Sequence, residues 1–78
     1  MHADKILNAP GHACINLTPL IKQAITSLQP EEILKVSNDD AASRLGVPAW
    51  CRLTGNTLIE MKEFDATNTE FYIKKKKS

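Results

Sequence analysis

An α+β fold is predicted: a two-layer α/β sandwich of order β-α-β-α-β-β, with two helices on one face of a mixed four-stranded sheet. Three observations predict it. Two stretches carry apolar residues at helical spacing. Four short stretches carry β-branched or alternating residues between turn signals. The chain has only 78 residues, enough for one domain that buries roughly 60–65% of its unfolded surface, so two layers use the chain economically.

Residues 4–8, DKILN, read as a first strand stopped by Pro10 and Gly11. Residues 11–18 hold no period and read as a loop. Thr18 followed by Pro19 is a helix start, threonine as N-cap and proline in the first helical position. Leu20, Ile21, Ala24, Ile25 and Leu28 then form one apolar stripe, opposite Lys22, Gln23 and Thr26. Pro30 ends that helix.

Residues 32–37, EILKVS, read as a second strand, parallel to the first through a right-handed crossover. Asn38, Asp39 and Asp40 are each competent to cap the next helix, and their charge suits its N-terminus. Ala41, Ala42, Leu45, Ala49, Trp50 and Leu53 give the second apolar stripe. Gly46 and Pro48 interrupt it, which predicts a helix broken into two short pieces. Gly55 is its expected left-handed stop. Residues 57–64 and 69–75 read as a hairpin around a turn at 65–68. Phe71 and Ile73 lie on one face of the last strand, with Glu70, Tyr72 and Lys74 on the other.

Composition narrows the function. The chain is 42% hydrophobic and 24% charged, near the globular average. Its ten basic and nine acidic residues give +1, but four of the ten are the lysines at 74–77. The rest therefore carries six against nine, a net of −3. The expected architecture is a single domain over residues 1–78 with a basic end at 74–78. No apolar run nears the roughly 20 residues of a membrane span, and MHADKILNAP lacks the apolar core of a secretory leader. Two cysteines lack the density of a secreted disulfide scaffold. No metal-ligand spacing appears, since there is no CxxC and His2 and His12 stand apart from any thiol pair. A cytoplasmic protein with free thiols, no metal and no cofactor is expected.

Cys14 is the informative residue. It lies between the first strand and the first helix, where strand ends often carry sites. A nearby helix N-terminus favours its thiolate. The plain alternative is a small buried hydrophobe.

At these residues the chain resembles the TusA/SirA/YedF-like sulfur-carrier family. Gly11-His12-Ala13-Cys14 resembles the start of its signature, in which a glycine precedes a C-P-x-P motif by three residues. Residues 36–42, VSNDDAA, are similar to the family's strand ending in D-D-P-A. Residues 47–51, VPAWC, and 53–58, LTGNTL, are similar to its I-P-x-W and G-H-E-L segments. FYIKK at 71–75 matches its closing strand. The likeness spans nearly the whole chain, and the family fold has the same element order.

One departure stands out. Cys14 is followed by Ile15-Asn16-Leu17-Thr18-Pro19, without Pro-x-Pro. One alignment keeps Cys14 as the carrier and lengthens the loop by two residues. The other keeps Pro19 in register and sets Asn16 at the cysteine's place. The first is preferred, because it retains Gly11, the thiol and a helix start at Thr18 and Pro19, and loops absorb insertions readily.

The resemblance implies that Cys14 accepts sulfane sulfur as a persulfide and relays it to an acceptor protein. A cysteine desulfurase or rhodanese-like protein would be the donor. Thiolate exchange needs no cofactor. The family's destinations are tRNA thiolation, molybdenum cofactor assembly and sulfur metabolism. His12 and Asn16 flank the cysteine as candidate stabilisers of the thiolate, against a solvated histidine as the plain reading. The alternative function is a non-catalytic module of the same fold that docks a protein or RNA through its basic end.

The remaining candidates have simpler readings beside the functional ones. Cys51 is expected to pack half-buried beside Trp50, itself an anchor of the second helix onto the sheet. Asp39 and Asp40 read as caps before they read as an acid–base pair. Arg44 and Arg52 read as a solvated face or as a dock for an acidic partner. Lys74, Lys75 and Lys76 read as a solubilising end, a docking patch for an acidic protein, or a contact to RNA phosphates. The last is weakened by the scarcity of aromatic residues, so direct nucleic-acid binding is not expected.

Overall fold

The computed structural model describes residues 3–9 and 14–76, and of residues 14 and 15 the backbone only. Six elements follow in the expected order. They are β1 (Lys5–Asn8), α1 (Cys14–Thr26), β2 (Ile33–Asn38), α2 (Ser43–Thr54), β3 (Thr57–Glu63) and β4 (Thr69–Lys74). The sheet order is β1-β2-β4-β3. β1 runs parallel to β2, and β4 pairs antiparallel with both β2 and β3.

The two central strands define the core. Leu34 faces Ile73 and Val36 faces Phe71 across the β2–β4 register, and all four are fully buried. The helices cover this side, joining it with Leu17, Ile21, Ala24, Ile25 and Leu28 of α1 and Val47 and Cys51 of α2. The opposite side carries the alternate residues of the same strands. There Lys35 pairs with Glu70 at 3.2 Å, and the Lys62 ammonium lies 5.3 Å from the Tyr72 ring centre. Long charged stems thus shield Tyr72, which is 5% exposed on a face without helices.

β3 explains its own imperfect alternation. Its pairing shifts between Leu58 and Glu60, so one extra residue sits in the strand and reverses the side-chain phase. Leu58 and Met61, three apart, therefore both pack against the core. Asp65 organises the hairpin turn. Its carboxylate accepts the backbone N–H groups of Thr67 at 2.9 Å and Asn68 at 2.8 Å, and the Asn68 amide at 2.7 Å.

α2 departs from expectation twice. It is one continuous helix, with Pro48 as its sixth residue. The N–H groups of Ser43, Arg44 and Leu45 bond three residues back to Asp40, Ala41 and Ala42, a tight lead-in turn. Pro48 then forgoes one bond without ending the helix. The buried face is also different. Ser43, Val47 and Cys51 point inward, whereas Leu45 is 82% and Leu53 88% exposed. Ser43 tolerates burial because its hydroxyl donates to the Asp40 carbonyl at 2.6 Å. Small side chains on this face let the helix approach its neighbours closely, which a count of hydrophobicity alone does not reveal. Gly55 closes α2 in the left-handed region at φ 82°, as expected.

Arg44 is no solvated cation. Its guanidinium donates to Thr69 Oγ1 at 2.7 Å, to the Asn68 carbonyl at 3.3 Å and to the Asp65 carbonyl, and it pairs with Glu63 at 3.6 Å. It bolts α2 to the β3–β4 turn.

The inward phase of α2 has a measurable consequence. Val47→Ala is expected to cost about 2 kcal/mol from two lost buried methyl groups, and Leu45→Ala less than about 0.5 kcal/mol. Urea unfolding of the two variants checks this; equal losses would contradict the phase.

Candidate functional site

Parallel pairing of β1 and β2 brings their carboxyl ends to one edge of the sheet, and the connections to both helices leave from there. Asn38, the last residue of β2, ties those connections together. It is 4% exposed. Its side-chain N–H donates to the Ala9 carbonyl at 2.7 Å, and its side-chain oxygen accepts the Asp40 N–H at 2.8 Å. The Ala9 N–H donates to the Ser37 carbonyl at 2.8 Å. The path out of β1 is therefore held up to Ala9, five residues before Cys14. The same edge opens into a cavity of about 260 Å³ bordered by Asn8, Ser37, Asn38, Phe64 and Asn68.

Cys14 is the first residue of α1, which corrects the expected helix start at Thr18 and Pro19. Pro19 is the sixth helical residue. Its missing N–H forgoes the bond to the carbonyl of residue 15. The extra turn before it buries Leu17 completely against the core, which the loop reading missed. Residues 14–26 are helical throughout, so the longer loop expected after Cys14 is not there. Asn16 is exposed in the first turn, and Thr18 is half-buried further along. Gly11 and His12 lie outside the described residues.

The other thiol has a different setting. Cys51 is 2% exposed, and burial pushes its pKa from 9.0 up to about 11. It is more deeply packed than the half-buried position expected of it. Asp40 does not cap α2 as expected: Ala42 is the N-cap residue, without a side-chain cap bond, and the Asp40 carboxylate accepts the Ala42 N–H at 3.0 Å in the turn before the helix.

The basic end is part of the fold as far as Lys76. Lys74 pairs with Glu31 at 3.8 Å. The Lys75 ammonium donates to the Leu28 carbonyl and lies 3.5 Å from that of Thr26, so it caps the negative end of α1. The Lys76 N–H donates to Asn56 Oδ1 at 3.0 Å. These lysines lie at the far end of α1 from Cys14, so the structure does not bring the two sets of candidates together. Lys77 lies outside the described residues.

Sequence reasoning missed Asn38 as a clamp and Arg44 as a bolt. An asparagine closing a strand before a second strand-to-helix connection was the available signal for the first. Among the described residues, no three His, Cys, Asp or Glu side chains gather in a metal-binding group. No helix there is long and apolar enough to cross a membrane.

Comparison with known proteins agrees with this architecture. Residues 5–75 match the family model described as sulfurtransferase TusA. The chain is 32% identical over 73 residues to the sulfur carrier protein TusA of Pseudomonas aeruginosa PAO1, covering 94% of this chain and 91% of that one. It is 31% identical over 75 residues to the putative sulfur carrier protein YrkI of Bacillus subtilis 168, covering 96% and 99%. A crystal structure of a SirA-like protein from Desulfitobacterium hafniense superposes with a TM-score of 0.78 at 22% identity, covering 94% and 99%, and shares the fold.

Two measurements test the geometry. Asn38→Ala leaves a buried carbonyl and N–H without their partner and is expected to cost about 1–3 kcal/mol, read by thermal or urea unfolding. A loss below about 0.5 kcal/mol would remove the clamp. For Cys51 the sign follows from its raised native pKa. Below pH 9.0 the thiol is neutral in both states; between 9.0 and about 11 only the unfolded chain ionises. Stability should fall across that window, by on the order of 2 kcal/mol, with a shallower fall in Cys51→Ala.

Proposed function

The chain belongs to the sulfurtransferase TusA family of sulfur carriers, and from that premise we propose that Cys14 is its persulfide site. The observation that carries this reading is the contrast between its two thiols. Cys51 is enclosed in the core, with burial opposing its thiolate. Cys14 opens a helix of 13 residues, whose N-terminal partial charge favours a thiolate.

The chemistry is two successive thiol exchanges. The Cys14 thiolate attacks the outer sulfur of a donor persulfide. A new sulfur–sulfur bond forms on Cys14, the donor's sulfur–sulfur bond breaks, and the donor cysteine leaves as a thiolate. The persulfide proton travels with the outer sulfur. An acceptor thiolate then attacks that sulfur and releases Cys14 as a thiolate. No net oxidation occurs, and no metal or organic cofactor takes part. A cysteine desulfurase or rhodanese-like protein is the proposed donor, and a second protein thiol the acceptor. The reducing cytoplasm is the compartment that suits a thiol needed in its free form.

Asn38 contributes by holding the backbone at Ala9, where the chain leaves β1 toward the cysteine. Asn16 is the exposed polar residue of the first turn and a candidate neighbour of the carried sulfur.

Incubation with a persulfide donor, followed by mass spectrometry of the intact protein, tests the site. The wild type and Cys51→Ala should each gain one sulfur atom, and Cys14→Ser none. An adduct that survives Cys14→Ser would defeat the assignment.

A further inference from the structure

At the far end of α1 from Cys14, the two helices and the residues after β4 enclose a groove of about 350 Å³. Ile25 and Trp50 supply apolar surface in it, and Lys22, Lys75 and Lys76 stand around it. No carboxylate is among its described lining residues. Outside these three lysines the chain carries seven basic against nine acidic side chains, so the groove is a local reversal of charge. Trp50 packs against the core yet stays partly exposed.

We propose that this groove docks an acidic segment of a partner protein. An aliphatic or aromatic side chain of that segment would seat on Trp50 and Ile25, with its flanking carboxylates meeting Lys22, Lys75 and Lys76. Charge complementarity selects the occupant, and the apolar floor favours a peptide over nucleic acid. A single tryptophan offers no row of aromatics for successive bases. One of the cations is already placed, and the backbone that carries a second is fixed. The Lys75 ammonium is held by the Leu28 carbonyl, and the Lys76 backbone by Asn56. Less ordering is therefore needed on binding.

The groove is lined by the last two turns of α1, whose 13 residues span about 18 Å from Cys14 at 1.5 Å per residue. A partner seated there leaves the thiol end uncovered. A carrier so held is tethered while its sulfur exchanges, and the docking does not depend on Cys14 being the sulfur site.

Trp50 is the sole tryptophan, so its fluorescence reports occupancy directly. The probe is a synthetic peptide of glutamates around a central Leu-Phe pair, titrated into the full chain. A saturable change in Trp50 emission is expected, weakening about tenfold or more between low and high salt. Lys22→Glu with Lys76→Glu should weaken binding by a similar factor. Both lysines are exposed, and the milder Lys22→Gln with Lys76→Gln should move it in the same direction. Cys14→Ser should bind as the wild type does, which separates this result from the fate of the persulfide reading. Absence of a saturable change overturns the proposal. So does equal affinity for the same peptide with lysines in place of glutamates, unchanged binding by both lysine variants, or tighter binding of oligouridylate at Trp50.

Discussion

The pairing of β2 with β4 is the constraint on which the rest depends. Leu34 opposite Ile73 and Val36 opposite Phe71 put four fully buried side chains on one face of the central strands. Alternation then assigns Lys35, Glu70 and Tyr72 to the other face. A slip of one residue would bury the Lys35–Glu70 pair and expose the core. The same register ends β2 at Asn38, opposite Thr69. From there one side chain holds the exit of β1 and the other takes the Arg44 guanidinium. The edge that leads to Cys14 and the turn that anchors α2 are thus consequences of a single strand pairing.

The fold separates its polar tasks along α1. At its start lie Cys14 and a connection whose first residue is clamped by Asn38. At its end lie the Lys75 cap and the groove with Trp50. A helix is well suited to this division, because it is stiff and its two ends carry opposite partial charges. Its N-terminus favours an anion such as a thiolate, and its C-terminus favours the ammonium of Lys75. The two thiols divide similarly. Packing Cys51 into the core keeps it protonated to about pH 11, which removes it from exchange chemistry under ordinary conditions.

Much of this was legible from residue order. The six elements, the buried faces of α1 and β4 and the left-handed Gly55 all follow from periodicity and turn chemistry. The two misread helix boundaries share one cause: proline was taken as a boundary. Pro19 and Pro48 each sit sixth in a helix, where the lost bond is outweighed by burial of the turn before it. Leu17 supplies that burial in α1, and Ser43 with Val47 supplies it in α2. Local rules count the lost hydrogen bond but not the packing that compensates for it.

The sequence by itself determined the fold class, the kinship with sulfur carriers and Cys14 as the candidate thiol. Those rest on local pattern and on motif order, which a linear chain displays. Tertiary structure alone decided which way α2 faces, that Arg44 binds the hairpin turn, that Asn38 joins two connections, and that Lys75 caps α1. Each of those depends on partners more than 20 residues away, from Arg44 to Thr69 (25) and Asn38 to Ala9 (29) to Lys75 and Leu28 (47). Only a closed sheet with both helices laid on it brings such groups within hydrogen-bonding distance.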